Sequence, residues 1–278
     1  MNNLVRTLVF NGQVSLTVAD TTKMVNVAIE RHKLSPVSAK ILGQALSAMT
    51  FMSACLKEKS GEISLSVQNT GECGDIGVSG NYDLRLRGYI GNPFLQTEEG
   101  IFAENGALTI IRDDGYNRPF VGSCALQTSG IDDSFEEYFF ISEQLPTRIY
   151  TNVEIDEDGK CAFAGVIALQ LLPFADQEAL DMTAHTPIDT VLEQVKQKDI
   201  RVVVKENFDA SDTVFEEREA VYSCNCSREY LKKVLASVGR EEFRKIVQED
   251  GAVKVHCHYC NTDYAFDTKD EEEIFGGL

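Results

Sequence analysis

What the chain has little of narrows its function first. Lysine and arginine number 26 against 44 aspartate and glutamate, a net charge of −18, and a field of that sign repels phosphate backbones and anionic lipid headgroups. Nucleic acid and acidic membranes are poor partners. No stretch approaches the roughly 18 to 20 apolar residues that span a bilayer, and the opening Met1-Asn2-Asn3-Leu4-Val5-Arg6 lacks a basic flank followed by an apolar core. The expectation is a cytoplasmic protein with no membrane contact. A glycine-rich phosphate loop, a nucleophile elbow and a compelling acid and base pair are missing too, so nothing points to an enzyme. Eight cysteines are too few for a disulfide-dense scaffold of 278 residues, which leaves each as a thiol or a metal ligand.

What is there is an ordinary globular composition, 43% hydrophobic, arranged in blocks. Leu4 to Phe10 and Gln13 to Val18 flank Asn11-Gly12, a dipeptide suited to a tight turn, and predict a β-hairpin. A helix is expected from about Thr21 to His32. Ser35-Pro36 then supplies an N-cap and a first-turn proline for a second helix to about Lys57, with Val37, Ile41, Leu42, Ala45, Leu46, Met49 and Met52 at helical spacing. From Glu62 to Phe120 the period drops to two, as in Ile63-Ser64-Leu65-Ser66-Val67, which reads as sheet. A short helix over Asp133 to Glu143 and two strands, Thr147 to Ile155 and Cys161 to Leu172, complete an α+β domain in which helices and strands are segregated.

After Pro173 the pattern becomes helical from Asp176 to Lys198 with a break at Thr186-Pro187, and Glu206 to Ala220 is acidic with few large apolar residues. Leu180, Val191, Leu192 and Val195 form a docking face for a weakly held segment. The boundaries expected are therefore an N-terminal mixed sheet-and-helix domain over 1–175, a helical, metastable linker over 176–220 and a small C-terminal domain over 221–278. Asp270-Glu271-Glu272-Glu273 reads as a solvated terminal stretch.

The cysteines divide in the same way. Cys55, Cys73, Cys124 and Cys161 are scattered and read as small apolar packing residues, with Cys73, in a glycine-rich turn, the one expected to be most exposed. Cys224-Asn225-Cys226 and Cys257-His258-Tyr259-Cys260 are two tight pairs separated by 30 residues, enough for a helix or two that folds one pair onto the other. Four thiolates so arranged suit one tetrahedral Zn2+ per chain, whose closed shell leaves no open position for catalysis. His256 and His258 flank the second pair as bystanders. A piece of this size is marginal without its metal, so oxidation that removes the thiolates acts as an unfolding signal. A bridge across the single residue between Cys224 and Cys226 is more strained than one across the wider Cys257 and Cys260 gap, so the second pair is expected to oxidise first or more stably.

These residues resemble the heat shock protein 33 family of redox-regulated chaperones. The resemblance is closest at Cys224-Asn225-Cys226-Ser227-Arg228-Glu229 and at Cys257-His258-Tyr259-Cys260 with Tyr264 and Phe266. It extends through His32-Lys33-Leu34-Ser35-Pro36, Leu42-Gly43, Arg87-Gly88-Tyr89, Tyr138-Phe139, Ser142-Glu143-Gln144 and Gln170-Leu171-Leu172-Pro173. It implies that Cys224, Cys226, Cys257 and Cys260 bind zinc when reduced, and that Cys224 with Cys226 and Cys257 with Cys260 form the disulfides of an active state. It further implies an ATP-independent holdase for unfolding client proteins, a homodimer when active, serving in oxidative stress. Departures are Val166, where relatives often have glycine, and the extra thiol of Cys73. The competing reading is a nucleic-acid-binding or structural zinc module; its one basic cluster, Arg228, Lys232, Lys233, Arg240, Arg244 and Lys245, is interleaved with acids and reads as a solvated helical face.

Overall fold

The computed structural model describes residues 2–208 and 214–276; residues 209–213 of the expected linker lie outside them. The chain divides into two compact units, 1–223 and 224–278.

In the first unit, β1 (Leu4–Val9) and β2 (Val14–Asp20) form the expected hairpin, turning through Phe10, Asn11 and Gly12 at φ 52°, 55° and 76°. β8 (Thr147–Ile155) and β9 (Cys161–Leu171) extend it, and β10 (Glu216–Arg218) closes its far side, giving the order β10-β1-β2-β9-β8. A second sheet follows the order β11-β5-β4-β3-β6-β7, built from β3 (Glu62–Gln68), β4 (Ile76–Asn81), β5 (Arg85–Ile90), β6 (Ala107–Asp113), β7 (Phe120–Ala125) and β11 (Val221–Tyr222). β10 is too short and too polar, and β11 too short, to register as period-two patterns.

Two helices join the sheets, α1 (Thr22–His32) and α2 (Pro36–Ala54). α2 starts where Ser35 Oγ accepts the Ser38 N–H at 3.3 Å, with Pro36 in its first turn. It packs on β8 and β9 of one sheet and on β4 and β5 of the other, which is why nearly every one of its residues from Ala39 to Ala54 is buried and apolar or small. Its approach to β8 needs Gly43, where an added Cβ would stand 3.1 Å from the Val153 side chain.

The other face of the first sheet is covered by α4 (Gln177–His185), α5 (Ile188–Gln194) and α6 (Ile200–Phe208), which arise from the segment read as a linker. Successive side chains of β9 serve opposite sides, Val166 and Ala168 toward α2, Ile167 and Leu169 toward these helices. A strand buried on both faces reads as an unbroken apolar run. Val191, Leu192 and Val195 dock as expected, but Leu180 remains 38% exposed because α4 turns that side outward.

α3 (Ile131–Tyr138) runs into a π-helical turn, Phe139–Glu143. It lies along the free side of β8: Asp132 accepts the Thr151 N–H at 2.8 Å and its hydroxyl at 2.7 Å, and Glu136 accepts the Ile149 N–H at 3.0 Å. Burial, opposed by the Thr151 hydrogen bonds, pushes the Asp132 carboxyl up to about 6. The native chain thus holds this proton more tightly than the unfolded chain. The stability contributed by the carboxyl is full below pH about 4 and is lost as pH rises through 6, by up to about 1.4 kcal/mol per pH unit. Urea unfolding of the wild type and Asp132→Asn between pH 4 and 7 checks this: the difference between them should change with that slope, and parallel pH profiles would contradict it.

The second unit contains α7 (Arg228–Ala236), α8 (Arg240–Asp250), the hairpin β12 (Val253–Cys257) and β13 (Thr262–Phe266), and α9 (Glu271–Phe275). Its apolar centre consists of Leu235, Phe243, Val247, Val253, Phe266 and Ile274.

Candidate metal centre

The two cysteine pairs converge within the second unit. Cys224 and Cys226 lie in the extended run before α7, whose N-cap is Ser227 with Oγ accepting the Tyr230 N–H at 3.0 Å. Cys257 ends β12 and Cys260 sits in the turn to β13, where the Cys260 N–H reaches the Cys257 carbonyl at 3.3 Å and Asn261 takes φ 53°. Arg228 holds the two pieces together: its guanidinium lies 4.4 Å from the Phe266 ring centre, donates to the Ala265 carbonyl at 2.9 Å and pairs with Asp270 at 2.6 Å.

The four sulfurs all lie within 4.8 Å of one another. Cys224 and Cys226 are 3.3 Å apart, Cys226 and Cys260 3.1 Å, Cys224 and Cys257 3.8 Å, and all four are free thiols. A disulfide needs about 2.05 Å, whereas a tetrahedral shell with bonds of about 2.3 Å has sulfur-to-sulfur edges of about 3.8 Å. This donor set fits a borderline-soft, tetrahedral cation, and four clustered cysteines can hold a metal ion. Burial, with Cys226 next, raises the Cys257 thiol, and burial raises Cys260. A bound cation reverses that preference and releases protons.

Two hydroxyls surround the sulfurs. Tyr264 OH stands 3.4 Å from Cys226 Sγ, a contact that pushes the phenol up to about 12 and keeps it protonated, and Thr262 Oγ1 lies 3.3 Å from Cys260 Sγ. The sequence motif includes Tyr264 without a role, and Thr262 carries no signal of its own; only the β13 register, which puts both beside the turn, shows it. His256 Nδ1 faces Asp263 at 2.7 Å.

Two sequence expectations change. Cys73 is fully buried, because its turn folds round Asn69, whose Nδ2 donates to Cys73 Sγ at 3.1 Å; Cys55 is instead the one of the four scattered thiols that is only partly buried. Burial raises the thiols of Cys55, Cys73, Cys124 and Cys161, the last three to about 11, 11 and 12, so they stay protonated and slow to oxidise. The acidic run at 270–273 is not a loose tail but the cap and first turn of α9, where Glu273 pairs with Lys232 and Glu271 with Arg240 and Arg244 at 3.4 and 2.7 Å.

A two-sheet α+β unit wrapped round one buried helix, continued by a small unit closed on four thiols, defines a globular domain carrying a cysteine-cluster module. The chain belongs to the Hsp33 protein family, whose model matches residues 2–267, and its function class is that of a chaperone. Relatives named "33 kDa chaperonin" are 31% identical over 288 residues in Clostridium botulinum strain Alaska E43, covering 98% of this chain and 97% of theirs. The one from Clostridium perfringens strain SM101 is 32% identical over 285 residues, covering 97% and 90%. The crystal structure of the 33 kDa chaperonin (heat shock protein 33 homolog) from Thermotoga maritima superposes with a TM-score of 0.82 at 26% identity, over 98% of this chain and 97% of that one.

Proposed function

We propose that the chain is a redox-regulated, ATP-independent holdase, a binding protein and not an enzyme, which is held inactive by zinc on Cys224, Cys226, Cys257 and Cys260. The observation that carries this reading is the pairing of four sulfurs within 4.8 Å with a unit whose apolar core numbers six buried residues. So small a core leaves a segment of this length marginal, and a structural zinc site supplies about 10 to 16 kcal/mol of apparent folding free energy. When bound, the metal supplies folding energy and keeps the thiolates from reacting freely.

Activation then follows from the thiols. Peroxide takes two electrons from each pair of thiolates and two protons from solvent, forming one sulfur–sulfur bond and two waters. By the family pattern the bridges are Cys224 with Cys226 and Cys257 with Cys260; the second is expected first, across its wider gap. Sulfurs about 2.05 Å apart no longer offer four separate donors. The second unit melts, the weakly held segment over 176–220 loses its C-terminal anchor, and the apolar face under α4 to α6 opens to unfolding client proteins. The high negative charge keeps the complexes dissolved, in a cytoplasmic setting and with the active form a homodimer. The nucleic-acid reading loses its basic face, since Arg228, Lys232, Arg240 and Arg244 are each paired with acids of Asp270, Glu271 or Glu273.

The test is a peroxide titration of reduced, zinc-loaded chain, reading zinc release with a chromogenic chelator beside light scattering from a heat-unfolding protein. Release and suppression should rise together. Equal suppression by reduced and oxidised chain would rule the switch out.

A further inference from the structure

Each sheet of the first unit has two edges, and the four are met in two different ways. The β8 edge is capped by Asp132 and Glu136 of α3, and at β7 the Ser142 hydroxyl of the π-helical turn donates to the Ser123 carbonyl at 3.2 Å. These contacts come from α3 and the π-helical turn that follows it. The β1 and β5 edges are closed by main chain from the segment that leads into Cys224. β10 pairs antiparallel with β1, Leu4 opposite Arg218 and Arg6 opposite Glu216, with the Asn3 N–H donating to the Arg218 carbonyl at 3.1 Å. β11 pairs parallel with β5, the Val221 and Ser223 N–H groups donating to the Leu84 and Leu86 carbonyls at 3.0 and 2.7 Å.

The occupants are poor strands. Glu216-Glu217-Arg218 has little β propensity and is three residues long, and Val221-Tyr222 is two. They are held by side-chain latches instead: Asn3 accepts the Ala220 N–H at 2.8 Å and donates to its carbonyl at 3.1 Å, and the Tyr222 hydroxyl donates to the Gly88 carbonyl at 2.9 Å. Ser223 directly precedes Cys224, so fraying that begins at the cysteines reaches β11 and then β10 before any other strand of the first unit. Beside the β1 edge, Val5 and Val9 face α6 and its neighbours, so departure of this segment uncovers an edge and an apolar face together.

An open edge bonds backbone to backbone and accepts any extended segment, with β-branched and aromatic side chains favoured on the adjoining face. We propose that in the oxidised protein the edges of β1 and β5 take an extended apolar segment of an unfolding protein as an added strand, in place of β10 and β11. This rests on the redox reading above and adds how the client is held.

The probe is a fluorescein-labelled peptide of about nine residues alternating valine and threonine between lysines, with a twin N-methylated at alternate amides, which keeps the side chains but removes the hydrogen-bonding edge. Oxidised full-length chain should bind the plain peptide about tenfold or more tighter than the twin, and hydrogen exchange at residues 3–6, faster after oxidation, should slow again when the plain peptide is added. Equal binding of both peptides, or no binding while suppression of light scattering is switched on, overturns the edge proposal and leaves the redox reading standing. Failure of oxidation to switch suppression on instead defeats that reading. Asn3→Ala, which removes the Ala220 latch without oxidant, keeps the edge proposal testable in that case: reduced Asn3→Ala should bind the plain peptide several-fold tighter than reduced wild type, and no gain overturns it. A signal that falls as the chain is concentrated assigns the edges to a second copy and overturns it as well.

Discussion

Cys260→Ser should yield a chain that holds no stoichiometric zinc, has a melted second unit and suppresses aggregation without any oxidant. Cys260 is buried and lies 3.1 Å from Cys226 Sγ at the centre of the cluster. A serine hydroxyl does not ionise near neutral pH and is a hard donor, so the shell loses one of its four soft ligands. Most of the roughly 10 to 16 kcal/mol associated with such a site depends on the full set, and the six-residue apolar centre does not replace it. Native mass spectrometry reads the metal, hydrogen exchange across β12 and β13 reads the melting, and light scattering reads the activity. A zinc-free variant whose hairpin amides stay protected would show that the metal does not hold the unit together.

Leu192→Asp separates the metal from the surface it controls. Leu192 is fully buried on α5 among Phe163, Ile167, Val191 and Val203. An unpaired carboxylate there costs about 4 kcal/mol or more, through lost packing and desolvation, enough to release the three-helix layer if it is held as weakly as the proposed function requires. The four sulfurs lie in the other unit and are untouched. The expected result is a reduced chain that keeps its zinc, exchanges the amides of α4 to α6 rapidly and suppresses light scattering as oxidised wild type does. If those helices are released and suppression stays off, clients do not bind beneath them.

The opening hairpin, the capped start of α2, the break between α4 and α5 and the cysteine pairs are legible because local chemistry decides them: a turn dipeptide, a serine followed by proline, a proline inside a helical pattern, and ligands at fixed spacing. What escapes sequence reading is decided by distant partners. Glu216-Glu217-Arg218 becomes strand only because β1 offers an edge. Cys73 is buried because Asn69 gathers its turn, with the Asn69 side chain also donating to the Ile101 carbonyl at 2.7 Å. Leu180 fits the apolar spacing yet faces outward, since helical period alone does not say which side of a short helix meets the sheet. Within the candidate centre, the four sulfurs could be picked out by spacing, whereas the Arg228 clamp and the Thr262 hydroxyl depend on how β13 folds back.

α2 is enclosed by sheets on both sides, and from Ala45 to Ala54 it has no solvent-facing stripe along which to part from either. On the function proposed above, a holdase that sheds its outer layer must expose grease to others without coming apart itself. This helix would then act as the keel: the surface opened by shedding stays on a rigid body, and the captor does not join the precipitate.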